Sequence, residues 1–496
     1  MFLEPKHLAK LAIFKSLLFS EEPVLISSIA TDLGISRKTL LRYLDQLIAD
    51  ILHYFPDFDL RFKINHGKII IFTIEEETAL YLLSYMRLSY IEETKEFKMI
   101  HLLLDRKIKN VTTLGKELHQ SPSSVYLTLK KVTYLLDHFD IQLDFSTHNR
   151  ISNFVYEEKK LRLFAYYFYW LTYGGIKWPT DWKENHWAQP LLGKTQKHLI
   201  SQLVPSKQNQ LHYIGMIWYR RLLLRIQPIQ MDEPYRTIIA TMTSIHDLTE
   251  TYLSLPLGID TTYQEDEHLF INIFLRHLVG DIDTATQQIE MMAQLVTLDN
   301  PISNFCQSLL SNLIKEFSLI SSEETHAFFF YHLILFFIYI QYYDINLPSS
   351  FFSEIVFEKQ PPRAELNTQI RYFLTDFFIK DPLGETFKLT DFYLNLLVSQ
   401  IYTYIDMSTA HPLRIATQFS KNALGEELIK QRLRKVYTSQ VVVFTKDYQQ
   451  ADLVISESYE GLKKEKDYFY IDSLTDNAAW SRLFNYIQER ILDRNF

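Results

Sequence analysis

Ser36, Arg37, Lys38, Thr39 and Arg42 put three cations and two hydroxyls within one stretch of seven residues. Such a set suits the phosphate oxygens and base edges of a nucleic acid. Arg37 or Lys38 would reach guanine acceptors or phosphates, and Thr39 a thymine methyl or a phosphate. Farther along, Ser121, Ser123, Ser124 and Tyr126 form a neutral hydrogen-bonding set, with Lys130 and Lys131 beyond them at positions suited to phosphate. Each of these is also what a solvated helix face looks like, so the weight falls on how they are spaced. Few of them are two-pronged base readers, so contacts to backbone and DNA shape are expected to outweigh direct readout.

The elements that would position them repeat. In IATDLGISRKTLLRYLDQL, Ile29, Ala30 and Leu33 give one apolar face of a short helix. Gly34 permits the left-handed backbone of a tight turn, and Ser36 is a good cap for the helix that follows. Ile35 and Leu40 can staple that start, and Leu40, Leu44 and Leu47 recur at helical spacing. The pattern returns 85 residues later in LGKELHQSPSSVYLTLKKV. There Leu114, Leu118 and Ser121 match Ile29, Leu33 and Ser36, and Val125, Leu129 and Val132 match Leu40, Leu44 and Leu47. Pro122 sits at the first helical position, where its missing N–H costs nothing. The second copy departs at the turn, where His119 and Gln120 replace Gly34 and Ile35.

A hairpin is expected after each copy. LRFKI and KIIIFTI flank Asn65-His66-Gly67; IQLDF and ISNFV flank Thr147-His148-Asn149. A short helix, a turn, a capped second helix and a hairpin make a winged helix-turn-helix, whose second helix enters the major groove of double-stranded DNA.

The rest of the chain fits such a reading. Its 496 residues exceed what one core organises, and 12 glycines argue for helices with short connections. The single cysteine, Cys306, excludes an intrachain disulfide or a Cys-rich zinc site and suits a reducing cytoplasm. No secretory signal is read in MFLEPKHLAKLAIF. Ala327 to Ile340 is the most apolar run. It is short for a bilayer and holds His332, so a buried core helix is expected and no membrane partner. Net charge is −8, yet residues 1–150 hold 19 basic and 19 acidic residues, so the acidity belongs wholly to the remainder. A neutral N-terminal third would approach DNA while an acidic body stays clear of it.

From about Glu157 to Thr409 the chain is aromatic-rich at helical spacing, enough for two helical domains. The period then changes. LRIATQF, QVVVFT, ADLVISES and YFYIDS read as strands, with GEELIKQRLRKVY and NAAWSRLFNYIQERILD as helices, a small α/β domain.

This layout resembles the Mga/AtxA family of virulence and global regulators of Gram-positive bacteria, which pair tandem winged helix-turn-helix modules with two phosphotransferase-system regulation domains (PRDs) and an EIIB-like domain. The resemblance implies a mainly α, multidomain chain: winged modules at 1–74 and 75–155, all-α PRD-like domains at 156–285 and 286–408, and an EIIB-like α/β domain at 409–496. It implies transcription control in the cytoplasm, a homodimer or higher oligomer, and HPr of the phosphotransferase system and RNA polymerase as partners. LHYIGMIWYRR is similar to the first histidine helix of a PRD and places His212 at the phosphorylatable position; YQEDEHLFINIFLRHL places His277 at the second. ETHAFFFYHLILF offers His326 or His332 in the second PRD, whose second site, in LNLLVSQIYTYID, lacks a histidine. Where EIIB transport proteins keep a phosphorylated cysteine, this chain reads QFS, so a contact module is expected there.

The sequence shows no Gly-rich phosphate loop, HExxH, GxSxG or CxxC, so no enzyme, cofactor or metal is expected. The competing classes are a helical scaffold, which would show a regular short repeat, and a PRD-containing RNA-binding antiterminator, whose small β domain is not what residues 1–75 spell.

Overall fold

The computed structural model describes the chain apart from residues 1–2, 21, 59–61, 66–67, 72–75, 147–151, 180–202, 224–228, 250–260, 281, 348–363, 388, 409–411, 420–424, 440, 458–466, 472–475 and 495–496. Of residues 62–65, 68, 70–71, 76–77, 219, 222–223, 261–263, 364 and 492–494 it describes the backbone alone. The chain divides into two compact units. Unit 1 comprises Met1–Thr284 with Gln341–Phe351, and unit 2 comprises Ala285–Ile340 with Phe352–Phe496.

Unit 1 opens with α1 (Pro5–Leu18), β1 (Val24–Leu25), α2 (Ile26–Asp32), α3 (Arg37–Tyr54), β2 (Phe62–Asn65) and β3 (Lys68–Ile71). Ile29, Leu40, Leu44, Leu47 and Ile51 sink into one core with Ile13, Phe14 and Leu17 of α1. That is the apolar stripe their helical spacing requires. β2 and β3 pair antiparallel from Phe62↔Ile71 to Asn65↔Lys68, and β1 adds to the far side of β3. The hairpin expected from the sequence forms; His66 and Gly67 of its turn lie outside the described residues.

After α4 (Glu76–Glu93) and α5 (Lys95–Asp105) the same order recurs as α6 (Val111–Glu117), α7 (Pro122–Asp137), β4 (Gln142–Leu143) and β5 (Phe154–Val155). Val125, Val132 and Leu136 are buried. Leu129, expected as a core match to Leu44, is only half-buried, and Thr128 takes the buried place instead. Thr128 can do so because its hydroxyl bonds the Ser124 carbonyl (3.0 Å) one turn back. The second ladder is two residues long, Gln142↔Val155 and Leu143↔Phe154; Thr147-His148-Asn149 lie outside the described residues.

No third strand joins that ladder among the described residues, and a side chain supplies part of what one would. Asn153 is fully buried; its Oδ1 accepts from Ile108 N (2.6 Å) and its Nδ2 donates to the Ile108 (2.9 Å) and Asp144 (3.1 Å) carbonyls. A primary amide has the donor and acceptor of a peptide group, so Asn153 holds the segment before α6 as β3 holds β1 in the first copy.

α8 (Glu158–Tyr173) packs under the second copy, with Phe164 against Phe139 (5.1 Å) and Phe168 against Phe97 (5.1 Å). α9 (Pro205–Leu223), α10 (Tyr235–Ile245) and α11 (Thr261–Leu278) complete unit 1.

Unit 2 begins with α12 (Ala285–Leu295), α13 (Pro301–Glu316), α14 (Glu323–Tyr343), α15 (Ala364–Lys380) and α16 (Asp391–Ser408). Phe305 anchors this bundle against Phe337 (5.0 Å), Phe377 (5.5 Å) and Phe387 (4.3 Å). Among the described helices α14 alone is long and apolar enough to cross a membrane; 67% of its most apolar stretch is buried inside the protein. The last three residues of α14 count with unit 1. The chain ends in β6 (Leu413–Gln418), α17 (Gly425–Arg434), β7 (Val442–Phe444), β8 (Leu453–Ser456), β9 (Asp467–Tyr470) and α18 (Asn477–Arg494). The sheet is wholly parallel, in the order β7-β6-β8-β9. Leu413 and Ile415 alternate with exposed Arg414 and pack with Ile429, Leu433, Trp480 and Leu483 of the two helices. Of the QFS segment that stands where EIIB proteins keep their cysteine, Gln418 ends β6 and Ser420 lies outside the described residues.

Candidate nucleic-acid interface

The turn between the two helices is built alike in both copies. Gly34 has φ +61°, and His119, in its place, has φ +50°. Ile35 N bonds the Ala30 carbonyl (3.0 Å) and Gln120 N the Gly115 carbonyl (2.9 Å). Gly34 N bonds Thr31 O (3.1 Å) and His119 N bonds Lys116 O (3.2 Å). These paired bonds close a helix through a left-handed residue. The second copy therefore keeps the turn without glycine. The serines cap as expected: Ser36 Oγ accepts from Thr39 N (3.1 Å) and Ser121 Oγ from Ser124 N (3.4 Å).

Capping leaves the first turns of α3 and α7 outward. On α3, Ser36, Arg37, Lys38 and Arg42 are exposed and Thr39 is half-buried, its hydroxyl 2.9 Å from that of Ser36. Arg42 lies over the Tyr43 ring, 5.2 Å from its centroid. On α7, Ser121, Ser123, Tyr126 and Lys130 are exposed, while Ser124 is half-buried and donates to Gln120 Oε1 (3.2 Å). Lys95 Nζ bonds the Ser124 hydroxyl (3.0 Å). Lys131 is exposed, yet it pairs with Glu96 of α5 at 2.7 Å, and that hydrogen bond raises its pKa. The side chains predicted from sequence thus gather on one helix per copy, and Lys131 carries a counter-charge that the local sequence did not reveal.

The four predicted histidines do not gather with them. His212, on α9, is half-buried with its ring edge-on to Trp178 (6.1 Å), and burial lowers its pKa. His277, on α11, is half-buried against Tyr343 (5.6 Å). His326, on α14, is half-buried and also lowered by burial. His332 sits edge-on to Phe328 (4.3 Å) and lines a cavity of about 190 Å³ with Phe329, Gln400, Tyr404 and Met407.

A fifth histidine does not stand out in the sequence. His268, two turns before His277 on α11, places Nε2 2.9 Å from each carboxylate oxygen of Asp247. Asn272 and Thr249 N also donate to that carboxylate. Burial works to raise the Asp247 carboxyl, and the bonds from His268, Thr249 and Asn272 outweigh it and hold it below the ordinary value. A carboxylate on one ring nitrogen fixes the tautomer and leaves the other nitrogen as the nucleophilic one. The signal is HxxxN in a helix beside a preceding DxT, which acquires meaning only once the two segments are known to touch.

A short helix, a left-handed turn, a capped outward helix and an antiparallel ribbon define a DNA-binding regulator of the helix-turn-helix class. Residues 82–169, from within α4 to within α8, match the Mga helix-turn-helix domain, a match that supports membership in the Mga family of regulators. No curated protein matches it.

Proposed function

We propose that the chain binds duplex DNA through two winged helix-turn-helix modules, α2–α3 with its hairpin and α6–α7 with its shorter ribbon. The observation that carries this is the in-phase duplication of turn, cap and outward helix. Recognition helices dock with their first turns on the bases, which puts Arg37, Lys38 and Arg42 from one module and Ser123, Tyr126 and Lys130 from the other within reach of one groove face each. The reading is tested with the intact protein on duplex fragments from its own genomic neighbourhood. Wild type should shift DNA, and the R37A/K38A/R42A protein should bind at least tenfold more weakly at low salt. Equal binding by both would refute the placement.

Activity is, in the same proposal, set by phosphorylation of PRD-like histidines in α9 and α11, with HPr as donor, in a homodimeric or larger protein. His212 supports this because burial keeps its imidazole neutral near pH 7, the form that accepts a phosphoryl group. On α11, His277 is the residue the family resemblance points to, and His268 the one whose carboxylate partner prepares it. Residues 409–496 fit an EIIB-like contact module.

A further inference from the structure

The outward faces of the two recognition helices differ in kind. Residue by residue across the repeat, Leu41 of α3 corresponds to Tyr126 of α7, Arg42 to Leu127 and Asp45 to Lys130. Tyr126 is 63% exposed, Leu127 67% and Tyr134 69%, whereas Leu41 is 37% exposed. Ser123, Tyr126, Leu127, Lys130 and Tyr134 follow helical spacing on the side opposite buried Val125, Thr128, Val132 and Leu136. Over its second turn, which its helix-turn-helix aims at DNA, α7 therefore exposes more apolar surface than α3, whose most exposed large apolar side chain, Leu52 (68%), lies in the last turn.

Among α7's own side chains that face is poor in charge; Lys95 of α5 adds a cation at its first turn, beside Ser124. Lys131 is neutralised by Glu96, and Ser124 is engaged by Lys95 and Gln120, which leaves Lys130 as the cation on the outward stripe. In the major groove the apolar base feature is the thymine C5-methyl, while arginine and lysine serve guanine O6 and N7. Tyr126 and Leu127 occupy the second turn of α7, where such a helix meets base edges.

We infer that the second module reads thymine methyl groups through Tyr126 and Leu127, while the first module supplies cationic contacts through Arg37, Lys38 and Arg42. The inference rests on the DNA-binding reading above and assigns its second module a base class. It also places Tyr134 and Lys130 beyond the bases, near the sugar-phosphate wall.

The experiment compares the intact protein on a footprinted duplex and on the same duplex with deoxyuridine replacing thymidine. The swap removes only the methyl and keeps every hydrogen-bonding edge. Each methyl that the protein touches should, when removed, weaken binding about fourfold, the equivalent of one buried carbon. L127A and Y126S should bind the thymidine duplex more weakly and tell the two duplexes apart little or not at all. Both side chains are exposed, so neither change should disturb the fold, which circular dichroism would show. L127R, which installs the cation that the first module carries at Arg42, should raise affinity at low salt, steepen the salt dependence and abolish the preference for thymidine. Equal affinity of wild type for both duplexes would overturn the inference and leave the DNA-binding reading standing. Absence of binding to any duplex would overturn both.

Discussion

Arg162 and Glu267, 105 residues apart in the chain, meet as a two-pronged buried pair, Nη1 to Oε2 at 2.7 Å and Nη2 to Oε1 at 2.9 Å. The pair is the centre of a larger network. Arg162 Nε also donates to Glu158 (2.9 Å), which takes two bonds from Arg221 (2.8 and 2.7 Å), while Trp218 Nε1 (3.1 Å) and Ile229 N (3.1 Å) donate to Glu267. Burial works against the Glu267 carboxylate, but the Arg162 charge holds its pKa below the ordinary value. The network ties α8, beneath the second module, to α9 and α11, which bear His212 and His268.

Removing one partner of such a pair strands a buried charge, and the cost is far larger than the net worth of the pair. R162M should destabilise unit 1 by about 3–5 kcal/mol, and R162M/E267M should recover most of that loss. Thermal denaturation of the intact protein checks both. Equal loss in the single and double replacements would mean that packing, not charge, is what the site supplies.

The paired turns make a matched test of backbone strain. Gly34 meets nothing that a β-carbon would strike, so G34A isolates the left-handed backbone itself and should cost about 1 kcal/mol. His119 already bears that strain, and H119G should be neutral to stabilising by up to about 1 kcal/mol, since glycine's greater freedom in the unfolded chain offsets part of the relief. A marked loss of stability in H119G would show that the imidazole holds contacts worth more than the strain.

Much of this architecture was legible because its signals are local. Ser36 and Ser121 cap the very next helix, Gly34 turns the chain where it stands, and Leu40, Leu44 and Leu47 declare their face by spacing alone. The four C-terminal strands were legible as apolar runs between turn residues. What stayed hidden depends on partners far along the chain. Asn153 looks like one more residue of the ISNFV strand until Ile108 lies against it, and Glu158, Arg162 and Glu267 look like solvated helix charges until three helices close on them. Lys131 reads as a phosphate ligand because Glu96, 35 residues earlier, is not its neighbour in sequence. His268 is hidden for the same reason, its carboxylate lying on the segment before α11.

The salt dependence of DNA binding should separate free cations from engaged ones. Removing one cation from a phosphate shallows the slope of log affinity against log salt by about one. R37A, K38A and R42A should each do so if their side chains lie on the backbone. K131A should leave the slope nearly unchanged, because its charge is already met by Glu96 at 2.7 Å. E96Q, which frees Lys131, should steepen it. A slope that falls as much in K131A as in K38A would mean the Glu96 pair opens on DNA.

The last prediction concerns His212 and acid. Burial holds its folded pKa below the ordinary histidine value of 6.5, so the folded state binds fewer protons than the unfolded chain between those two pKa values. Stability contributed by this group is therefore fully present above about pH 6.5 and falls away as pH drops through the unfolded value toward the folded one. Thermal denaturation at pH 7.5 and 5.5 should show a drop for wild type that is smaller in H212Q, which keeps a polar side chain of similar size and cannot take a proton. The same replacement bears on phosphorylation, because a half-buried site edge-on to Trp178 that resists one positive charge will not hold a phosphoryl dianion in unchanged packing. Transfer from purified HPr and enzyme I, followed by mass mapping, should place label on His212 in wild type and none there in H212Q, with H268Q and H277Q assigning any label on α11. Label on none of the three, in a tube where another PRD protein is labelled, would leave the acid sensitivity of His212 as a cost of burial alone and remove the phosphotransferase link from the proposed function.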